Sequence, residues 1–420
     1  MKKILINGGR QLSGSVEVSG SKNAALPILF ATILTGDVNV IENLPDISDV
    51  RLSVEILRQM GARVEYINPT TLEIDTRGVR PGESAYDSVR MMRGSTYILG
   101  AELGRFGYSR VGWPGGCDFG VRPIDQHIKA FHSLGADVKN ENGYITAQAE
   151  ALVGAPIYLD IASVGATVNA IMAACGASGT TVIDNAAREP HIVDLANYLS
   201  SCGASIRGAG TEIIKVMSEP GVRLHGSEYA IIPDMIEAGT YMIAAALMGG
   251  TVEITNVIPK HLEAITAKFI EMGIKVEEGD ESVTVHGARG LMNGTNVKTL
   301  PYPGFPTDMH PQMTVLLCHA NGMSHMSENI FENRFRYVDE LARLGADIKV
   351  DGRTAEISGP MHLTGAPVRA VDLRAGAAMI LAGLAADGTT VIDNIESIER
   401  GYDNVVGKLS ALGADIQYVE

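Results

Sequence analysis

The sequence predicts a two-domain α/β protein built from six copies of one unit, three copies to a domain. Three observations lead there. First, one short phrase recurs six times: LRQMGARVEY (57–66), FHSLGADVKN (131–140), LSSCGASIRG (199–208), FIEMGIKVEE (269–278), LARLGADIKV (341–350) and LSALGADIQY (409–418). Its glycines, Gly61, Gly135, Gly203, Gly273, Gly345 and Gly413, lie 74, 68, 70, 72 and 68 residues apart. Second, longer stretches upstream nearly superimpose, as TVIDNAAREPHIVDLANYL (181–199) does on TVIDNIESIERGYDNVVGKL (390–409). Third, 420 residues exceed what one core ordinarily holds.

Within each unit the phrase reads as an amphipathic helix, a glycine able to take the left-handed C-cap conformation, and a strand whose apolar residues alternate. TVEITNVIPKHLEAITAKF (251–269) repeats the upstream strand and helix. A further helix per unit is rich in small residues: VGATVNAIMAACGA (164–177), EAGTYMIAAALMGG (237–250) and AGAAMILAGLAADG (375–388). Helices apolar all round belong inside a core, so the amphipathic ones should lie outside them. AALPILFATIL (24–34) reads as another buried helix, being too short for a membrane span. A solenoid is the competing architecture; repeats of about 70 residues are long for one, and no polar capping unit is visible.

Composition narrows the function. Apolar residues make up 45% and charged residues 20%, a globular balance. With 34 basic against 49 acidic residues the formal net charge is −15, which argues against a nucleic-acid partner but not against a small anion held by a few convergent cations. The cysteines Cys117, Cys175, Cys202 and Cys318 form no CxxC pair, so reduced thiols, no metal site and a cytoplasmic location are expected. The opening MKKILINGGRQ has no signal-peptide core, and no window is long enough to span a membrane. P-loop, GxGxxG, HExxH, GxSxG and kinase motifs are absent.

Four constellations stand out. SGSKNAALPILFA (19–31) places Lys22 and Asn23 after a Gly-rich turn at a helix start, a setting that favours anions or simply a solvated lysine. WPGGCDFGVRPIDQHI (113–128) is a glycine-rich loop holding Cys117 and Arg122; a loop cysteine near an arginine can act as acid or nucleophile. PYPGFPTDMHPQM (301–313) sets Asp308 between proline turns, as a general base or an Asx-type cap. Arg93, Arg374 and Arg400 stand at loop–helix boundaries, and FENRFRYVDEL (331–341) adds Glu332 and Arg334.

Taken together, GSKNAALPILFA, MRGSTYILG, PGGCDFGVRPIDQHI, NAAREPHIVD, FPTDM, ENIFENRF, DLRAGAAMILAG and IERGYDNV run the whole length, and with them the chain resembles the enolpyruvyl transferases that act on UDP-N-acetylglucosamine. The resemblance implies an inside-out α/β barrel architecture of six βαβαββ repeats, three per domain. One domain would span 22–229 and the other 1–21 plus 230–420, with the active site in the cleft between them. It implies transfer of the enolpyruvyl group of phosphoenolpyruvate to the 3′-hydroxyl of UDP-N-acetylglucosamine, the committed step of peptidoglycan synthesis.

Residue by residue, it implies Lys22, Asn23, Arg93, Arg122, Arg374 and Arg400 around phosphoenolpyruvate. Around the sugar nucleotide it implies Asn23, Arg93, Arg122, Pro123, Ile124, Asp125, Gln126, Ser163, Val164, Gly165, Asp308 and Ile330. Cys117 would be the acid, Asp308 the base, and Lys22 and Arg400 would assist. No cofactor or metal is implied, but a covalent phosphoenolpyruvate or pyruvate adduct on Cys117 is, together with alkylation there by fosfomycin. Some members carry KVSVGAT where this chain has IASVGAT (161–167), so Ile161 stands in the place of a lysine. Transfer to shikimate 3-phosphate and a regulatory, weakly active paralogue are the alternatives. The sequence does not set the oligomeric state.

Overall fold

The structure, a computed structural model, describes residues 2–82, 84, 86–113, 115, 123–219 and 223–420. The chain divides into two compact units. One comprises residues 2–19 and 233–420; the other comprises residues 20–115 and 123–232. The chain leaves the first unit after Ser19 and returns to it at Pro233.

Each unit is built around three helices. In the second unit they are α1 (Lys22–Ala31), α2 (Tyr97–Phe106) and α3 (Val164–Cys175). In the first unit they are α4 (Met235–Met248), α5 (His310–Cys318) and α6 (Leu373–Ala385). Residues 24–31 of α1 are all buried, as are all nine of α5 and all but the first of α6. Burying side chains such as Leu29 and Phe30 contributes roughly 1.5–3 kcal/mol each relative to exposure. Small residues let the helices approach: a Cβ on Gly100 of α2 would meet Asn169 O at 2.7 Å, and one on Gly176, which ends α3, would meet Gly104 O at 1.8 Å. The amphipathic helices, such as Ser48–Gln59 and Pro190–Ser201, cover only one face each, as their patterning predicts.

Around the helices stand six sheets, five of four strands and one of three among the described residues. In each four-stranded sheet one edge strand is parallel to its neighbour and the other pairings are antiparallel. Five sheets thus carry the full strand set of the βαβαββ repeat, and the three-stranded one carries its antiparallel part among the described residues. The N-terminal strands belong to sheets that are otherwise C-terminal: Lys3–Asn7 lies between strands Thr389–Asp393 and Asp415–Val419, and Gly14–Glu17 pairs with Thr251–Thr255. All six repeated glycines have φ between 82° and 104°, the left-handed conformation the C-cap needs.

A second repeated device is not evident from propensity. Asn43, Asn185, Asn256 and Asn394 end equivalent strands with φ of 53–60°. Each Nδ2 donates to the carbonyl just past the neighbouring parallel strand: Ile231 O (2.9 Å), Leu159 O (2.8 Å), Val18 O (2.7 Å) and Ala370 O (2.6 Å). Asparagine tolerates the left-handed region and supplies the donor.

One carboxylate is deeply buried among these elements. Glu102 of α2 accepts from Ser109 Oγ at 2.7 Å and Gly82 N at 2.8 Å, and burial pushes its pKa up to about 7 from 4.5 against those bonds. The folded state therefore holds a proton that the unfolded chain releases earlier. That stabilisation is complete below pH 4.5 and is lost as pH rises through 7. Glu102→Gln removes the titration, so its stability relative to the unaltered protein should improve by on the order of 3 kcal/mol between pH 4 and pH 8 in urea unfolding. A difference that does not change with pH would rule this out.

Candidate functional site

Within each unit, candidate side chains lie where its three buried helices begin. In the second unit Lys22 is the first residue of α1, and Ser21 does not cap that helix with its side chain. Lys22 Nζ lies 2.8 Å from Asp49 Oδ2, with side chains 12% and 5% exposed. Asp49, on the helix Ser48–Gln59, therefore orients the ammonium. Asn23 follows, half-buried. Arg93 opens the short 3-10 helix Arg93–Thr96 that leads into α2. The adjacent Gly94 packs against Leu26 of α1.

At α3, Ser163 caps the helix by accepting from Ala166 N at 3.3 Å, and Val164 and Gly165 form its first turn. The His127 ring presses on that turn: Nε2 lies 2.8 Å from where a Cβ on Gly165 would stand. Burial, with Arg93 nearby, pushes His127 down to about 4, so the ring is neutral at physiological pH. His127 belongs to the helix Asp125–Ser133, capped by buried Ile124 and preceded by exposed Pro123. Asp125 is exposed. Gln126 is buried, and its amide is engaged by Asp125 and Asp160. Cys117 and Arg122 lie outside the described residues.

In the first unit the ends of α4, α5 and α6 converge on a charged triad. Asp308 sits on the 3-10 helix Thr307–Met309 that leads into α5. Its Oδ2 lies 3.1 Å from Arg374 Nη2 and 3.3 Å from Arg374 Nε, and its Oδ1 lies 3.4 Å from Arg334 Nη2. The arginine side chains are 3% and 1% exposed, Asp308 27%. Asp308 is thus a partner of two buried guanidiniums and does not cap α5. Asp372 caps α6 by accepting from Arg374 N and Ala375 N at 2.8 and 2.9 Å, which sets Arg374 in its place. Burial opposes the Arg374 charge, but Asp308, Tyr402 and Asp234 hold its pKa above the ordinary value.

Ile330 is 37% exposed, and its N–H donates to Glu328 Oε1 at 2.7 Å. Glu328 Oε2 accepts from Thr307 Oγ1 at 2.9 Å, so one buried carboxylate fixes the Ile330 loop beside Asp308. Arg400 follows the short helix Glu396–Glu399 and is half-buried. Glu332 is exposed, and its Oε1 lies 3.7 Å from Arg353 Nη2.

Sequence reasoning missed Asp49, Glu328 and the role of Arg334. The first two carry no local signal, being an aspartate in a helix first turn and a glutamate after a strand. Arg334 was visible only as one charge in an arginine-rich phrase. Cys175, Cys202 and Cys318 are buried, and burial pushes the Cys175 and Cys318 thiols up to about 12, in keeping with packing roles. Among the described residues no His, Cys, Asp and Glu cluster fits a metal, and no helix is long and apolar enough to cross a membrane.

The chain is similar to known proteins over nearly its whole length. The family model of EPSP synthase (3-phosphoshikimate 1-carboxyvinyltransferase) matches residues 6–409. A protein of Clostridium botulinum named UDP-N-acetylglucosamine 1-carboxyvinyltransferase is 53% identical over 418 residues, 99% of each chain. A Clostridium acetobutylicum protein named UDP-N-acetylglucosamine 1-carboxyvinyltransferase 2 is 51% identical over 418 residues, again 99% of each. Among solved structures, the enolpyruvyl transferase NikO of Streptomyces tendae has a TM-score of 0.90 at 28% identity, covering 100% of this chain and 99% of that one. EPSP synthase of Acinetobacter baumannii shares the fold, with a TM-score of 0.77 at 18% identity over the full length of both.

The triad makes a stability statement. Asp308→Asn leaves two buried guanidiniums without their shared carboxylate and should cost about 3–5 kcal/mol. Thermal unfolding would show a lower midpoint, partly recovered in Asp308→Asn/Arg374→Met, where one of the stranded charges is also removed. An unchanged midpoint in the single variant would mean that the ion triad is energetically idle.

Proposed function

The chain belongs to the EPSP synthase family of enolpyruvyl transferases, and on that premise we propose that it moves the enolpyruvyl group of phosphoenolpyruvate to the 3′-hydroxyl of UDP-N-acetylglucosamine, releasing phosphate. The observation that carries the choice of acceptor is the 53% identity, over 99% of both chains, to a relative named for that reaction. The geometry supports the reaction type. Each unit offers an anion a cluster of buried helix N-termini with cations beside them.

In this reading Lys22, held by Asp49, binds phosphoenolpyruvate with Asn23, Arg93, Arg122, Arg374 and Arg400. Pro123, Ile124, Asp125, Gln126, Ser163, Val164, Gly165, Asp308 and Ile330 border the sugar nucleotide. Asp308 takes the proton of the 3′-hydroxyl, the freed oxygen bonds to C2 of phosphoenolpyruvate, and Cys117 gives a proton to C3. The resulting tetrahedral ketal loses a proton from C3, and the C2–O bond to phosphate breaks, leaving the enol ether. The guanidiniums beside Asp308 are placed to meet the charge of the substrate anion and the ketal. The enzyme needs no metal or cofactor, works in the cytoplasm and serves peptidoglycan synthesis.

The test is phosphate release from phosphoenolpyruvate. Release should require UDP-N-acetylglucosamine, persist in Cys117→Asp, where a carboxylic acid replaces the thiol, and fall at least about a hundredfold in Asp308→Ala, the scale of a lost general base. Fosfomycin should add one inhibitor mass to the unaltered protein and none to Cys117→Asp. Release with shikimate 3-phosphate in place of the sugar nucleotide would replace this acceptor, and release with neither would end the reading.

A further inference from the structure

The loop entering α3 is tied to the helix Asp125–Ser133 by a charged brace. Lys129 Nζ lies 2.7 Å from Asp160 Oδ1, while Gln126 Nε2 donates to Asp160 Oδ2 at 3.0 Å. The Asp160 N–H donates to Gln126 Oε1 at 2.8 Å, and Gln126 Nε2 donates also to Asp125 Oδ2 at 2.8 Å. Gln126 is therefore spent on the protein. Lys129 is not, because its side chain is 39% exposed and its ammonium can make further contacts.

Around this brace the surface is unusual. Tyr158 and Ile161 are each 61% exposed, and Lys129 Nζ lies 5.5 Å from the Tyr158 ring centroid. Two residues past Ile161, Ser163 caps α3, the twelve-residue helix whose first turn is pressed by His127. His127 is 5% exposed, and its Nδ1 is buried without a hydrogen-bond partner among the described residues. The ring's Nε2 faces the first turn of α3, a helix N-terminus that favours an anion.

The charges here do not favour an anion unaided. Asp125 and Asp160 place two carboxylates beside the helix end, and a nucleoside diphosphate brings further negative charge. Lys129 is the cation that cancels Asp160.

We propose that Lys129 determines affinity for the nucleotide end of the acceptor. Its ammonium, shared with Asp160, meets the diphosphate at the loop of residues 161–165. The inference rests on the sugar-nucleotide reading above and assigns a specificity role to a residue outside the reacting groups.

Steady-state kinetics of the full chain test it. Lys129→Met should raise KM for UDP-N-acetylglucosamine about fivefold to tenfold, with KM for phosphoenolpyruvate and kcat within about twofold, since a rim charge acts on association and not on the chemical step. UDP alone, used as a competitive inhibitor, should weaken equally. Asp160→Asn should leave KM for the acceptor unchanged or lower, the opposite direction, because it removes a repelling carboxylate. Lys129→Met/Ile161→Lys should recover most of the loss by returning a cation beside Asp160.

An unchanged acceptor KM in Lys129→Met overturns the proposal while leaving the reaction intact. Equal losses in Lys129→Met and Asp160→Asn overturn it in favour of a purely structural brace. No turnover of UDP-N-acetylglucosamine by the unaltered protein overturns both this and the functional reading.

Discussion

Six helices with no exposed residue leave solvent-accessible polar chemistry to their ends, while flank residues such as Glu102 stay buried. Their flanks must be apolar or small, because neighbouring backbone comes as close as Gly100 to Asn169 and Gly104 to Gly176. The first turn of each cannot satisfy its own N–H groups, so it draws side-chain oxygen caps or anions. Asp234, Asp372 and Ser163 are such caps. Lys22, Arg93, Gly165, Asp308 and Arg374 stand at or just before the same kind of helix start. The architecture that hides the helices also places the candidate functional groups.

The repeat explains where chemistry is possible by where it is broken. Four units end a strand with a left-handed asparagine that clasps the neighbouring parallel strand. In the fifth repeat Glu328 intervenes after the strand, and the clasp passes to Asn329, whose Nδ2 donates to Thr299 O at 3.2 Å. The intervening carboxylate turns instead to Thr307 and the Ile330 loop, beside Asp308. In the second of the six repeats the equivalent strand, Tyr108–Gly112, leads on to WPGG and the stretch containing Cys117, with no asparagine in that phrase. The two departures from a fourfold rule fall in the two units that carry the proposed base and the proposed acid.

Much of this was legible in the sequence, for a physical reason. Period and punctuation are local, so the six glycines, the small-residue helices and the Lys22 and Arg374 positions could be read directly. What stayed hidden are pairings across sequence distance. Nothing in the phrase around Asp49 says that it meets Lys22, and Arg334 and Asp308 are brought together only by the fold. Gln126 shows the converse. Its position in RPIDQHI implied contact with the sugar nucleotide, yet its amide is bound to Asp125 and Asp160. The side-chain amide is therefore already engaged within the protein.

Burial of charge ties these features together within the first unit. Asp234 caps α4 and also supports the charge of Arg374. One turn further in, Glu237 is buried; burial raises its pKa to about 6 while Lys408 opposes the rise. Its Oε2 accepts from Ser19 N at 2.9 Å, and Lys408 Nζ donates at 2.7 Å to both Glu237 Oε1 and Ser19 Oγ. Ser19 is the last residue before the chain leaves the unit, and Ser19 O accepts from Asp234 N at 2.9 Å. A single helix end therefore fixes both the exit of the chain and an arginine of the proposed site. Buried ion pairs of this kind are a poor source of net stability, because desolvation offsets much of the attraction. Their directional bonds do constrain position, and position is what the triad around Asp308 requires of the scaffold beneath it.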